Sequence, residues 1–167
     1  MGRDADARGD RLGEIYVRFA PRGIRLAYLM TGDRAIAEDL VQEAFVRFVA
    51  RLQSLRDPDA FDAYLRRTIV NLSKNYYRRR ALERSDLQHR ASQPPPTQEE
   101  PDVSEYEAMR LALLGLPARQ RAAIVLRYYE DLPESQIADL LRCRPATVRS
   151  LVSRGLEALR QSPEVIR

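Results

Sequence analysis

Apolar residues recur every three or four positions along most of the chain, which is the spacing of a helix with one buried face. In the N-terminal half this spacing predicts helices from Ile15 to Met30, from Arg34 to Leu52 and from Pro58 to Arg80. Asp33 is placed to cap the second helix, because aspartate is a favoured N-cap residue. No stretch sustains an alternation of apolar and polar residues, so strands are not expected.

The helical spacing stops at Ser85 and resumes near Ser104, and the segment between them is rich in proline, glutamine and acid. Such a composition is typical of a flexible linker. Beyond it, helices are predicted over residues 104–114, 119–129, 133–141 and 145–160. The predicted fold is therefore all-α, with two small helical domains, residues 12–84 and 104–161, joined by a linker over 85–103. We expect the two domains to pack independently.

Residues 132–160 form the most informative local pattern, a short predicted helix followed after a brief turn by a longer one. Ala138 is small where the two helices would cross, and this arrangement is typical of a helix-turn-helix, whose second helix enters the DNA major groove. Helical spacing places a polar set on the outer face of the second helix: Ala146, Arg149, Ser150, Ser153 and Arg154. An ordinary helical hairpin with a basic solvent face is the alternative.

The charge pattern also favours a polyanionic partner. Residues 1–90 hold 18 Lys and Arg against 13 Asp and Glu, and residues 109–167 hold 10 against 6. Between them, residues 91–108 hold five acids and no base. Two basic blocks thus flank an acidic one, which a DNA duplex would repel.

Catalytic and metal chemistry find little support in the composition. The chain has one cysteine, Cys143, and one histidine, His89, too few for a disulfide or a structural zinc site. No catalytic residues, no metal and no cofactor are expected. The charged N-terminus lacks the apolar core of a signal peptide, and no apolar run approaches the roughly 20 residues of a membrane span. A cytoplasmic protein without membrane insertion is predicted.

The C-terminal half resembles region 4 of the sigma-70 family of RNA polymerase sigma factors. The resemblance rests on the segment Leu116 to Leu132, on Ile137 to Leu141 and on Thr147 to Ser150. It implies that this helix-turn-helix reads the promoter −35 element through Arg144, Ala146, Thr147, Arg149, Ser150, Ser153 and Arg154. The family commonly has glycine where Arg142 stands. An arginine with positive φ would cost about 1 kcal/mol relative to glycine, so a local difference in the turn is expected.

The N-terminal half is similar to region 2 of the extracytoplasmic-function sigma factors, over Leu26 to Phe45. The core of the resemblance is the run Glu38 to Glu43, which implies docking on the β′ clamp helices of the polymerase. Asp39, Gln42 and Glu43 share one helical face at i, i+3 and i+4 spacing. The polymerase-binding set is therefore Glu38, Asp39, Gln42 and Glu43, with a solvated acidic face as the alternative.

Tyr64 to Arg80 resembles the helix that reads the −10 element. Aromatic rings stack on unpaired bases and cations hold the backbone, so this helix carries both kinds of group. The set implied is Asn71, Lys74, Asn75, Tyr76, Tyr77, Arg78, Arg79 and Arg80. The loop from Gln53 to Asp57 is where the family cradles a flipped base. A basic helix end with two packing tyrosines is the alternative.

The resemblance implies a sigma factor, not an enzyme, with core RNA polymerase (β′ clamp helices and β subunit) and promoter DNA as partners. It also implies control by an anti-sigma factor, and linker acids that mimic nucleic-acid charge: Glu99, Glu100, Asp102 and Glu105. The linker acids are equally compatible with a passive spacer. Three rival hypotheses are a stand-alone helix-turn-helix regulator, an enzyme, and a sigma-like protein that only binds regulators.

Overall fold

The computed structural model describes residues 2–50, 58–88 and 105–162, and every regular element in those ranges is helical. The all-α prediction is confirmed. Seven α-helices follow one another, and a five-residue π-helix, Val125–Tyr129, extends the fifth. The α-helices are α1 Gly2–Thr31, α2 Arg34–Val49, α3 Pro58–Gln88, α4 Glu105–Gly115, α5 Ala118–Ile124, α6 Glu134–Leu141 and α7 Pro145–Arg160.

Two helices are longer than their apolar spacing predicts. Helix α1 begins at Gly2 instead of Ile15, and α3 continues past Arg80 to Gln88. Leu82 is exposed, so this end of α3 extends beyond the core that the periodicity detects. The first residues of the predicted linker, 85–88, are therefore helical. The rest of that linker, residues 89–103, lies outside the described residues, and so does Ser104.

Helices α1, α2 and α3 enclose an aromatic core. The ring of Phe61 lies 4.3 Å from that of Phe48 and 4.9 Å from that of Phe19, both with edge-to-face geometry. Tyr64 packs 5.8 Å from Phe48 and is thus part of this core. Asp33 caps α2 as predicted, because its carboxylate accepts a hydrogen bond of 3.0 Å from the Ile36 amide.

The C-terminal helices build the predicted helix-turn-helix from α6 and α7. Ile137 and Val148 are fully buried between them, and Ala138 is buried beside them. The turn begins at Arg142, which has φ 51° in the left-handed region despite the cost of that conformation for arginine. Arg144 occupies the N-cap of α7 with no side-chain capping bond, so one amide at this helix start lacks the cap that a serine would give.

The apolar spacing predicts one α-helix over residues 119–129. In the structure, the α-helix ends at Ile124 and a π-helix follows it. Residues 121–126 are all buried, and the next three, Arg127, Tyr128 and Tyr129, are exposed. The π-helix spans this change, and the Glu130 amide donates to the Val125 carbonyl at 3.1 Å. Asp131 follows with φ 52°, which turns the chain toward α6 and leaves Glu130 facing inward.

The two halves pack against each other, so the prediction of independent packing is wrong for the described residues. A single cluster of buried apolar residues runs through both halves. At one contact, a Cβ added to Gly32 would lie 2.5 Å from the Leu114 side chain. The guanidinium of Arg110 also donates to the Gly32 carbonyl at 3.3 Å. Periodicity predicts which faces are buried but does not say which partner covers each face.

The left-handed Arg142 gives a testable prediction about stability. Arg142→Gly should raise the free energy of unfolding by about 1 kcal/mol, because glycine adopts positive φ without a Cβ clash. Arg144→Gly is the matched control: Arg144 has φ −81°, where glycine gains nothing and only adds freedom to the unfolded chain. Urea denaturation of both variants measures the difference. Equal effects at the two positions would contradict the prediction.

Candidate nucleic-acid interface

The outer face of α7 is polar and open to solvent, as predicted. Val148, Leu151, Gly155 and Leu159 are buried, so the opposite side of α7 faces solvent. Thr147 is half-buried at the edge of this face. The remaining members of the predicted −35 set are all exposed: Arg144, Ala146, Arg149, Ser150, Ser153 and Arg154.

Only weak contacts hold the side chains of this face. Arg149 forms an ion pair of 2.9 Å with Glu134 on α6, and both side chains are substantially exposed. Exposed pairs of this kind contribute about 0–1 kcal/mol, so an incoming phosphate or base can replace Glu134. Ser150 donates to the Ala146 carbonyl at 3.1 Å, and Arg154 Nε donates to the Ser150 carbonyl at 3.2 Å.

A groove of about 320 Å³ lies beside this face, between the π-helix and α7. Arg127 and Tyr128 line one wall, and Arg149, Ser153 and Arg160 line the other. The −35 set predicted from the sequence does not contain Arg127, Tyr128 or Arg160. The signal for the first two in the sequence is the run of Arg127, Tyr128 and Tyr129, which follows the apolar residues 122–126 and forms the outward side of the π-helix.

On α3, the predicted −10 set divides between different faces. Asn71, Lys74, Asn75 and Arg78 follow one another at i, i+3, i+4 and i+7, so they share one face. Lys74, Asn75 and Arg78 are exposed there, and Asn71 is half-buried. Arg79 and Arg80 are exposed on neighbouring sides of the helix. The expected cations are therefore accessible, while the loop from Gln53 to Asp57 lies outside the described residues.

The two tyrosines of the set do not lie on that face. The Tyr76 hydroxyl accepts a hydrogen bond of 2.5 Å from Arg80 on the next turn. Tyr77 faces the C-terminal half, where its hydroxyl accepts from Arg121 at 2.6 Å and donates to the Met30 carbonyl. The Arg121 guanidinium lies 4.6 Å from the centre of the Tyr77 ring. Burial raises the pKa of Tyr77, although the charge of Arg121 opposes this.

The acidic face of α2 is arranged as predicted, with one addition. Asp39, Gln42 and Glu43 are exposed, and Glu43 pairs with Arg47 at 2.6 Å. Glu38 is half-buried and pairs with Arg34. Val46, an apolar residue of the same helix, is 67% exposed. It stands one turn beyond Gln42 and Glu43, so the face combines acids, an amide and an apolar side chain.

The described ranges contain no metal site and no membrane-spanning helix. No cluster of histidine, cysteine, aspartate or glutamate in them could hold a metal ion. None of their helices is both long and apolar enough to cross a bilayer. His89 lies outside the described residues.

Comparison with known families identifies both halves. Residues 15–83 match Sigma-70 region 2, and residues 106–159 match Sigma-70, region 4. The RNA polymerase sigma-E factor of Streptomyces avermitilis is 33% identical, over 90% of this chain and 84% of that protein. The chain belongs to the extracytoplasmic-function (ECF) sigma factors of the sigma-70 family.

Two further comparisons agree. The ECF sigma factor SigE of Mycolicibacterium smegmatis is 34% identical, and this chain spans 64% of its length. The solved structure of the Bartonella quintana sigma factor RpoE, in complex with the anti-sigma factor NepR, has a TM-score of 0.71 at 24% identity. That match covers 93% of this chain and 98% of the other, and it shows a shared fold.

As an ECF sigma factor, the protein is an initiation factor of transcription and not an enzyme. Its partners are core RNA polymerase and promoter DNA. The stand-alone helix-turn-helix regulator is not favoured, since it accounts only for region 4 and leaves region 2 without a role.

Proposed function

We propose that three exposed faces divide the work of this ECF sigma factor. The outer face of α7 reads −35 duplex, the Asn71 to Arg78 face of α3 binds −10 DNA, and the acidic face of α2 docks on the β′ clamp helices. One observation supports the division: each predicted set contains polar residues on the solvent side of a helix whose other side is buried. The matching family regions supply the assignment of each face to its task.

For the −35 element, Arg149 and Arg154 carry the specific chemistry. An arginine fork donates two hydrogen bonds to the O6 and N7 atoms of guanine, while serine hydroxyls contact bases or phosphates. Arg144 stands at the start of α7, where the helix dipole and a cation both attract a phosphate. Arg127 and Arg160, on the walls of the adjoining groove, extend this positive surface. Phosphate contacts of this kind position the helix, and base contacts give specificity.

For the −10 element, Lys74 and Arg78 hold the backbone of a separated strand, and Asn71 and Asn75 offer amides to its bases. Both cations are exposed on one face, so they can follow consecutive phosphates. Tyr76 lies on the neighbouring side of α3, where its ring is available to stack on an unpaired base. Tyr77 takes part only if it leaves Arg121.

For polymerase binding, Asp39, Gln42 and Glu43 provide charge and hydrogen bonds, and Val46 provides apolar contact. An exposed valine among polar residues is the usual composition of a protein interface, whose centre is less charged than its rim. We assign the β subunit as a further contact of the chain. We assign the linker acids to the polymerase cleft as nucleic-acid mimics: Glu99, Glu100, Asp102 and Glu105. Of these four, only the backbone of Glu105 lies among the described residues, at the start of α4.

Regulation by an anti-sigma factor and a cytoplasmic location complete the proposal. The Bartonella quintana RpoE structure is a complex with an anti-sigma factor, and this chain shares that fold. The cytoplasm is where a bacterial polymerase meets its promoters.

Run-off transcription tests the proposal as a whole. The purified chain, added to core RNA polymerase and genomic promoter fragments, should produce start sites that core enzyme alone does not. The free chain should bind the same duplex fragments only weakly. Absence of new start sites with active core would overturn the proposed function. Tight duplex binding without polymerase would favour the stand-alone regulator.

Removing one charge from the α2 face should weaken core binding. Asp39→Asn is expected to lower the affinity for core polymerase about tenfold, since a hydrogen bond to a charged group contributes about 1.5–3 kcal/mol. Glu14→Gln is the matched control, because Glu14 is an exposed acid on α1. Titration of labelled core enzyme measures both. Equal losses would show a general charge effect and contradict the assignment of this face.

Removing Arg149 should affect DNA and spare the polymerase. Arg149→Ala is expected to cost about 1–3 kcal/mol at −35-dependent promoters, the value of one bidentate base contact. Arg119→Ala, at an exposed position on α5, removes the same charge away from α7. Transcription from promoters with and without a −35 element, together with core affinity, separates the effects. An Arg149→Ala variant that also loses core binding would argue against the assignment.

A further inference from the structure

Glu134 is an acid on an otherwise basic part of the proposed −35 surface. It is the first residue of α6, and it lines the groove between the π-helix and α7 together with Arg127, Arg149 and Arg160. Among the residues that line this groove, Glu134 is the one that carries a carboxylate. A carboxylate beside a DNA-binding face lowers affinity, because it repels the phosphates of any duplex. General attraction to DNA therefore does not account for Glu134.

The Glu134 carboxylate contacts one end of the Arg149 guanidinium and leaves one edge open. Arg149 Nη1 donates to Glu134 Oε2 at 2.9 Å, while Nη2 and Nε form no hydrogen bond within the described ranges. A guanidinium carries five N–H donors in a rigid fork, so a carboxylate and a second acceptor can bind different edges at once. The open edge of Arg149 has the two donors that a bidentate contact to guanine O6 and N7 requires.

Glu134 is the better anchored member of this pair. Its side chain is 36% exposed, against 64% for Arg149. Ile137, one turn further along α6, is fully buried and holds this end of the helix in the core. An acid in the first turn of a helix is also favoured by the helix dipole. Arg149 is a long, exposed side chain with many rotamers, so the contact restricts Arg149 more than Glu134.

Two kinds of DNA contact are open to Arg149, a phosphate or a base edge. The exposed pair is weak enough for DNA to displace Glu134. A phosphate that did so would lie beside the freed carboxylate, and the two negative charges would repel each other. A guanine edge carries no charge, and it can bind Nη2 and Nε while Glu134 keeps Nη1. The carboxylate thus favours base reading over phosphate contact.

We propose that Glu134 is a positioning residue for −35 recognition, which directs Arg149 toward a base edge and away from the DNA backbone. This role rests on the proposed reading of the −35 duplex by α7. Arg149 touches DNA, and Glu134 acts through it. The pair increases discrimination between sequences and lowers affinity for duplex in general, because phosphate contacts carry no sequence information.

Base selection by the holoenzyme tests the proposal. Core RNA polymerase with the full-length chain forms closed complexes on promoter fragments found by run-off transcription and randomised over the −35 element. The wild type should prefer guanine at a position where Arg149→Ala loses that preference. Glu134→Ala should lower the same preference about two- to tenfold, the effect of leaving one long side chain to be immobilised on binding. Asp139→Ala, at an exposed acid of α6 outside the groove, is the matched control and should leave it unchanged.

Salt dependence supplies a readout that a merely structural role of Glu134 would not change. Without Glu134, Arg149 should contact a phosphate, so the plot of log affinity against log salt should steepen by about 0.9. In an Arg149→Ala background, Glu134→Ala should neither steepen this slope nor alter any base preference. A coupling of this kind in a double-mutant cycle shows that the two residues act together.

The proposal requires both changes, the weaker guanine preference and the steeper salt slope. A Glu134→Ala variant that shows only one or neither of them overturns it. Equal changes with and without Arg149 would also overturn it, because Glu134 would then act on DNA by itself. A wild type with no base preference that depends on Arg149 would refute the −35 assignment instead. Absence of any start site with active core would refute the proposed function as a whole.

Discussion

The carboxylate of Glu130 is buried between two domains, and much of the observed arrangement follows from that constraint. A charged group is stable away from water only when it is paired and hydrogen-bonded. Region 2 supplies Arg22 and Arg66 on two different helices, so both helices must be correctly packed before the pair can form. Region 4 supplies the carboxylate through a π-helix and a left-handed residue at 131, which together direct it inward. Local backbone irregularity and long-range docking are thus parts of one interaction.

The two kinds of interface in the molecule differ in their chemistry. Within region 2, the rings of Phe48 and Phe61 are buried and pack edge to face. Between the regions, arginines, acids and a tyrosine hydroxyl carry much of the contact. Hydrophobic burial is non-directional and favours permanent packing. Polar contacts are directional, and they can be exchanged for water or for another macromolecule at modest net cost.

Sequence periodicity predicted most of the helices because burial of one face imposes a 3.6-residue repeat. It located α7 to the residue, since Pro145 and the apolar positions from Val148 to Leu159 all agree. It misplaced the start of α1 and the end of α3, because both helices extend beyond the residues with regular apolar spacing. Val46 is an apolar residue of α2, yet it is 67% exposed because no helix in the described ranges covers that side. A short apolar side chain at the edge of a helix's apolar face can be buried or exposed, and the spacing alone does not distinguish the two.

The domain contact was beyond the reach of the sequence for a different reason. Arg22, Arg66 and Glu130 are separated by tens of residues, and charged residues are expected on the surface unless a partner is known. Nothing in the run from Tyr128 to Asp131 distinguishes its one buried acid from the exposed residues beside it. Tyr77 is the instructive residue: family resemblance assigned it to DNA, and the structure places it against Arg121.

The turn of the helix-turn-helix shows how stability and binding are balanced in region 4. Arg142 adopts a conformation that suits glycine, and Arg144 stands where a capping serine would stabilise α7. Both side chains are exposed, so neither is fixed by packing. Arg142 and Arg144 each lower stability locally, and each places a cation near the start of α7, at the positive end of the helix dipole. The Arg144 side chain forms no capping hydrogen bond there. Such a site is unfavourable in the free protein and favourable against a phosphate. Under the proposed −35 assignment, contact with a DNA phosphate would offset the cost of this turn.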